Sequence, residues 1–144
     1  MSEVLVRYMH FLGIISLGSA LVSQHILLNI PADAKKLKRL AIVDAWFGIS
    51  ALVVLTAGLL LWFVVGKPAD FYSQNWIFHL KVTVFFLIGL LSIYPTLFFV
   101  RNRNKDAFSV AIPKSVIIVN RIELTLLVAM PLFATLMAHG YGLR

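Results

Sequence analysis

The chain contains no cysteine. That excludes disulfides, thiolate metal sites and cysteine nucleophiles, and it leaves the redox compartment open. Charge is scarce as well: 13% of the residues are charged, against about 25% in an ordinary soluble domain. Methionine is limited to four residues, Met1 among them, so soft thioether ligands are few. No linker, repeat or composition break divides the sequence, and residues 1–144 read as one domain. What fills the chain is apolar: 60% of the residues are hydrophobic and the mean hydropathy is +0.92.

The apolar residues fall into four runs, about 4–30, 40–65, 76–100 and 113–138. Each exceeds the ~20 residues that cross ~30 Å of hydrocarbon. Pro31, Gly66, Pro68 and Pro113 mark the boundaries. The connections are short, so consecutive helices are expected to lie antiparallel, as an all-α integral membrane four-helix up-down bundle. The first run is too long for a secretory signal, and it passes Ser19 and Ala20 without a clear cleavage pattern. It reads as a retained first helix.

The formal net charge of +7 is unevenly placed. Lys35, Lys36, Lys38 and Arg39 crowd the first connection, and Arg101, Arg103, Lys105 and Lys114 the third. The middle connection offers only Lys67, near Asp70. Lysine and arginine favour the cytoplasmic side, so both termini and the middle connection are expected on the outer, periplasmic side of a bacterial inner membrane. Because the basic clusters abut apolar spans, anionic lipid headgroups suit them better than nucleic acid. Trp62, Phe71, Tyr72, Trp76 and Tyr141 would form an outer aromatic belt, with Trp46, Phe98 and Phe99 towards the inner face.

Ionisable groups inside lipid spans are costly and mark function by default. His10, His79 and His139 fall on three different helices at one outer level, beside Arg7 and Lys81. His25 stands at the inner level with Asp44, Asn120, Arg121 and Glu123. Neutral imidazole ligates haem iron and copper, and bundles hold such cofactors between facing helices. His10 is the leading ligand, because Gly13 and Gly18 would leave room for a flat macrocycle. His79 is intermediate, and His139 has the plainer role of an interfacial group. For His25 the structural and ligand roles are balanced. His10 and His25 lie ~60° apart around a helix and ~22 Å apart along it, so one haem cannot use both. Lys81 either snorkels to the interface or meets a haem propionate or a proton. Asp44 with Arg121 is the expected structural ion pair, with Glu123 alongside. Pro95 and Pro131 are expected to interrupt hydrogen bonding within helices three and four.

The stretches Arg7–Gly13, Phe78–Lys81 and Leu90–Leu97 resemble an uncharacterised bacterial membrane-protein family, domain of unknown function 2214. More distantly, the chain is similar to the HemJ-type membrane protoporphyrinogen oxidases and the membrane part of copper-resistance D proteins. The HemJ likeness implies an early-helix histidine as haem b ligand, matched by His10, and a His-x-Lys pair, matched by His79 and Lys81. That type's Asn-Glu pair followed by proline is not reproduced, since Asn120 and Glu123 are separated and no proline follows directly.

The leading expectation is therefore a haem b-binding redox protein acting on a porphyrinogen or a quinone. His10 would be one axial ligand, His79 or His139 the other, with Lys81 and Arg7 at the propionates. The alternatives are copper handling by Met9-His10 with Met137 and His139, and a cofactor-free accessory subunit. A homodimer through the glycines of the first helix is a further expectation.

Overall fold

A computed structural model describes residues 2–29, 36–65, 68, 70, 73–103 and 112–142. Ile30, Pro31, Lys35, Gly66, Lys67, Phe71, Tyr72 and Lys105, given roles above, lie outside the described residues. Helix α1 spans Ser2–Asn29, α2 Lys36–Leu60, α3 Trp76–Asn102 and α4 Lys114–Ala138. A π-helical turn, Leu61–Val65, continues α2. All four helices are long and apolar enough to cross a membrane.

α2 begins at Lys36 rather than near residue 40. The basic residues expected in a loop are good helix formers, and Lys36 turns its Nζ to the Leu28 carbonyl at the end of α1, 3.4 Å away. Lys38 and Arg39 lie in the same first turns. At the opposite end, Asn75 starts α3 by accepting the Ile77 amide on its side-chain oxygen at 3.0 Å, which satisfies one of the orphan donors of a helix start.

The surface is apolar and part of the interior is polar. Ile15, Ile42, Ile49, Leu52, Leu90 and Val128 are exposed, whereas Gln24, Asp44, Ser50, Asn120 and Glu123 are buried. Apolar area on this scale is foreign to a monomer in water and suits a hydrocarbon solvent, in which helices satisfy their own backbone.

α1 packs on α2 and α4, and α3 packs on α2 and α4, while the backbones of the two diagonal pairs stay apart among the described residues. Partner numbers run in opposite directions along two of the neighbouring pairs. Along α1 and α2 they are His10–Val54, Ser16–Ser50 and Gln24–Asp44. Along α3 and α4 they are Asn75–Tyr141 and Tyr94–Ser115. Leu28, Leu37, Leu40, Phe99 and Val116 close one end of the core. Leu17, Leu21, Phe47, Val84 and Ile88 fill its middle. The α1–α2 contact is intimate at Gly13, where a Cβ would stand 2.9 Å from Val54 Cγ2 and 3.3 Å from the Val54 amide nitrogen.

Candidate functional site

Two groups of polar side chains face the interior, one towards each end. The first centres on His10 of α1. Its ring lies over Gly58 of α2, where a Cβ would come within 3.4 Å of His10 Cε1. The imidazole Nδ1 is 3.2 Å from the Val54 carbonyl oxygen. A carbonyl only accepts, so in the neutral ring Nδ1 carries the proton and Nε2 keeps its lone pair. Backbone-anchored imidazoles of this kind are the usual form of a metal-ligating histidine.

Lys81 of α3 and Arg7 of α1 both lie within electrostatic reach of His10. Arg7 is paired with Glu3 one turn earlier on α1, at 2.8 Å. Lys81 is half-buried, and no hydrogen bond or ion pair holds it among the described residues. Of the two-residue pair on α3, Lys81 is thus the member turned to the bundle, and His79 is the exposed one.

The remaining histidines are not brought to His10. His79 Nε2 donates to the Ser73 carbonyl at 2.7 Å, and His139 Nδ1 to the Thr135 carbonyl at 2.9 Å. Both rings are exposed. His25 is half-buried at the far end, and its Nδ1 is buried without a partner. No group of three or more His, Cys, Asp or Glu residues able to hold a metal exists among the described residues. Tested against a haem, the residues present supply one axial nitrogen, from His10, and a cation, Lys81, for a propionate. They do not assemble an axial pair. Gly13 makes no room for a macrocycle, because its missing side chain is what lets α2 approach. Gly18 faces Leu127 of α4, 3.8 Å from where its Cβ would stand.

The second group joins all four helices. Asp44 of α2 accepts from Gln24 Nε2 of α1 at 2.9 Å, and Gln24 Oε1 accepts from Asn120 Nδ2 of α4 at 3.4 Å. Thr96 of α3 and Glu123 of α4 both lie within electrostatic reach of Asp44. The expected Asp44–Arg121 ion pair is not formed: Arg121 is exposed on the other side of α4. Residues 121 and 123 diverge by ~200° on a helix, and it is Glu123 that points inwards.

Beside this group a cleft of about 480 Å³ runs between α2 and α3. Asp44, Gly48, Gly89, Ser92, Thr96 and Arg103 are among its lining residues. A Cβ at Gly48 or Gly89 would meet nothing within 4 Å, so the cleft exists partly because both positions lack side chains.

Residues 2–142 match the family described as predicted membrane protein (DUF2214). The chain belongs to this family. No curated protein and no solved structure matches it. For a member of the DUF2214 family the chemistry must accordingly be read from its own residues.

Sequence reasoning missed Gln24, Thr96 and Gly58. Gln24 carries a usable signal, since an amide inside a lipid span demands a partner. Thr96 and Gly58 carry none, because hydroxyls bond their own helix and glycines are frequent in such spans.

Proposed function

We propose that the protein is a multi-pass bacterial inner-membrane protein that binds an anionic amphipathic ligand at His10 and Lys81, with haem b the first candidate and a redox role the consequence. The observation that carries this reading is a half-buried imidazole, whose Nε2 is kept bare by the Val54 carbonyl, within electrostatic reach of a lysine that has no acid partner among the described residues. Lysine without an acid inside a lipid span asks for a negative partner. A ligand combining a metal with carboxylates answers both groups. His10 would hold the metal, Lys81 would meet a carboxylate, and the Glu3–Arg7 pair would close the outer side. Haem, when bound, would supply one-electron exchange with a quinone or porphyrinogen.

The same reading places the chain as an up-down bundle with its termini outside. The opposed partner numbering supports the first part. The gathering of Lys36, Lys38, Arg39, Arg101, Arg103 and Lys114 at one end supports the second.

The deciding experiment is the visible spectrum of protein purified in mild detergent, as isolated and after dithionite reduction. A Soret band that His10→Ala removes is the expected result. A colourless preparation that also fails to take up added haemin would sink the reading, and leave a cofactor-free accessory role as the better account.

A further inference from the structure

The polar group around Asp44 lies ~21 Å along α1 from His10, measured from Gln24 at ~1.5 Å per residue, and the ligand proposed above does not use it. Its members are almost wholly enclosed: Glu123 and Asn120 are each 1% exposed, Gln24 2% and Asp44 6%. Burying two carboxyls costs several kcal/mol for each that stays ionised. Among the described residues the groups that act on Asp44 are Gln24 and Thr96, and the one that acts on Glu123 is Asp44, with no cation beside them.

The hydrogen bonds have one consistent direction. The Asp44 carboxylate only accepts, so Gln24 must offer it Nε2. The other face of that amide then presents Oε1, and Asn120 must offer Nδ2 to it. That orientation leaves Asn120 Oδ1 pointing away, buried and without a donor. Glu123 Oε1, one helical turn further along α4, is also buried and without a donor. Both amide hydrogens that face the group are already committed to acceptors, so two buried acceptor oxygens on α4, three residues apart in sequence, have no donor among the described residues.

We propose that Gln24, Asp44, Thr96, Asn120 and Glu123 form an intramembrane binding site for one small monovalent cation of the sodium class. The donor set is oxygen only, which is the choice of hard cations, and it mixes carboxylates with neutral amide and hydroxyl oxygens. It draws on all four helices, so a bound ion would tie the bundle together. One sodium ion and one carboxyl proton leave the two acids neutral. Magnesium gives up its water reluctantly, and calcium takes six to eight oxygens; a group of five side chains with two carboxyls suits neither. The α2–α3 cleft provides the approach, because Asp44 and Thr96 form part of its wall. A proton competes for the same oxygens, since a protonated Glu123 would answer the two orphaned acceptors on α4 by itself.

The test is binding of radiolabelled sodium to the purified wild-type protein in detergent at mildly alkaline pH, with potassium, calcium or choline as competitor. Saturable binding near one ion per chain is expected, displaced by unlabelled sodium, not by choline, and weakened by acid. Glu123→Gln and Asp44→Asn should each lower it at least tenfold, whereas Arg121→Gln, on the exposed side of α4, should leave it unchanged. Thr96→Val removes one hydroxyl with little change of shape and should weaken it more mildly, and thermal melts in choline report whether each variant still folds. Absence of sodium binding to the wild-type protein would overturn the proposal and leave a proton as the sole occupant. Displacement by calcium at far lower concentration than by sodium would overturn the monovalent assignment. Because the readout is sodium, the result is independent of whether haem binds at His10.

Discussion

The ring of His10 is clamped between two features of α2, the Val54 carbonyl 3.2 Å from its Nδ1 and the bare backbone of Gly58 beneath its Cε1. The carbonyl fixes the tautomer and the glycine fixes the height of the ring. Gly58→Val should therefore push the imidazole off its seat without removing any ligand. Haemin uptake by this variant is expected to fall towards that of His10→Ala, while His79→Ala and His139→Ala keep the wild-type spectrum. A titration with haemin followed at the Soret band distinguishes them. Equal loss in all three histidine variants would contradict the assignment of His10 alone.

Lys81 should set affinity for an anionic ligand through its charge. Hydrogen bonds to charged groups contribute about 1.5–3 kcal/mol, or roughly 10–100-fold in affinity. Lys81→Met keeps the length and loses the charge, so it should weaken haemin binding by that factor. Lys81→Arg should retain most of it. If Lys81→Met binds as the wild type does, the lysine is merely snorkelling and its proximity to His10 has no functional meaning.

How much of this was legible in the sequence depends on the range of the signal. The four spans follow from run length alone, and the helices begin and end within a few residues of expectation because lipid forces the backbone to satisfy itself. The larger shift, at Lys36, arose because a lysine in a basic cluster reads as loop, although its stem is buried and its Nζ caps α1. The side-chain partners were harder. Depth put His10, His79 and His139 on one level, but depth says nothing about rotation, and two of the three rings face outwards. Asp44, Asn120, Arg121 and Glu123 were likewise placed at one level, and the most obvious pairing, by opposite charge, chose the wrong residue. A charge pair needs both groups on one face, and Arg121 is turned away. The partner that does face Asp44 is a neutral amide, Gln24.

Gly13 and Gly18 sit on the same helix, yet their substitution should differ. A Cβ at Gly13 would meet Val54 Cγ2 at 2.9 Å, Val53 Cγ1 at 3.1 Å and the Val54 nitrogen at 3.3 Å. Valine side chains are stiff, and a backbone nitrogen cannot step aside, so α1 and α2 must separate. Gly13→Ala is expected to cost about 1–3 kcal/mol, as overpacking does. At Gly18 the nearest atom is Leu127 Cδ2 at 3.8 Å, an ordinary contact. Gly18→Ala should be neutral or slightly stabilising, because alanine is the better helix former by about 1 kcal/mol. Thermal melts of the two variants in one detergent measure the difference. Equal stability would mean that the α1–α2 contact is looser than its geometry.

The end of the bundle where α3 begins and α4 ends is fastened by Asn75, and the fastening can be taken apart one bond at a time. Asn75 is fully buried. Its Oδ1 accepts the Ile77 amide at 3.0 Å, and its Nδ2 donates to the Tyr141 carbonyl at 3.1 Å, beyond the end of α4. The Trp76 amide donates to the Gly142 carbonyl at 3.3 Å. Losing an N-cap costs about 1 kcal/mol, and leaving a buried group unpaired about 1–3 kcal/mol. Asn75→Asp keeps the cap and loses the bond to Tyr141; Asn75→Ala loses both. Stability should fall in the order wild type, Asp, Ala. Gly140 and Gly142 test the same region from the other side. Both have a positive φ, 85° and 87°, so alanine at either should cost about 1–2 kcal/mol. Only at Gly142 would the new Cβ also press on the Asn75 Oδ1 and Ile77 side-chain atoms. Gly142→Ala should therefore be the more destabilising of the two, and hydrogen exchange at the Trp76 and Ile77 amides should rise in it but not in Gly140→Ala. Equal exchange in both would show that the chain beyond α4 does not hold the start of α3.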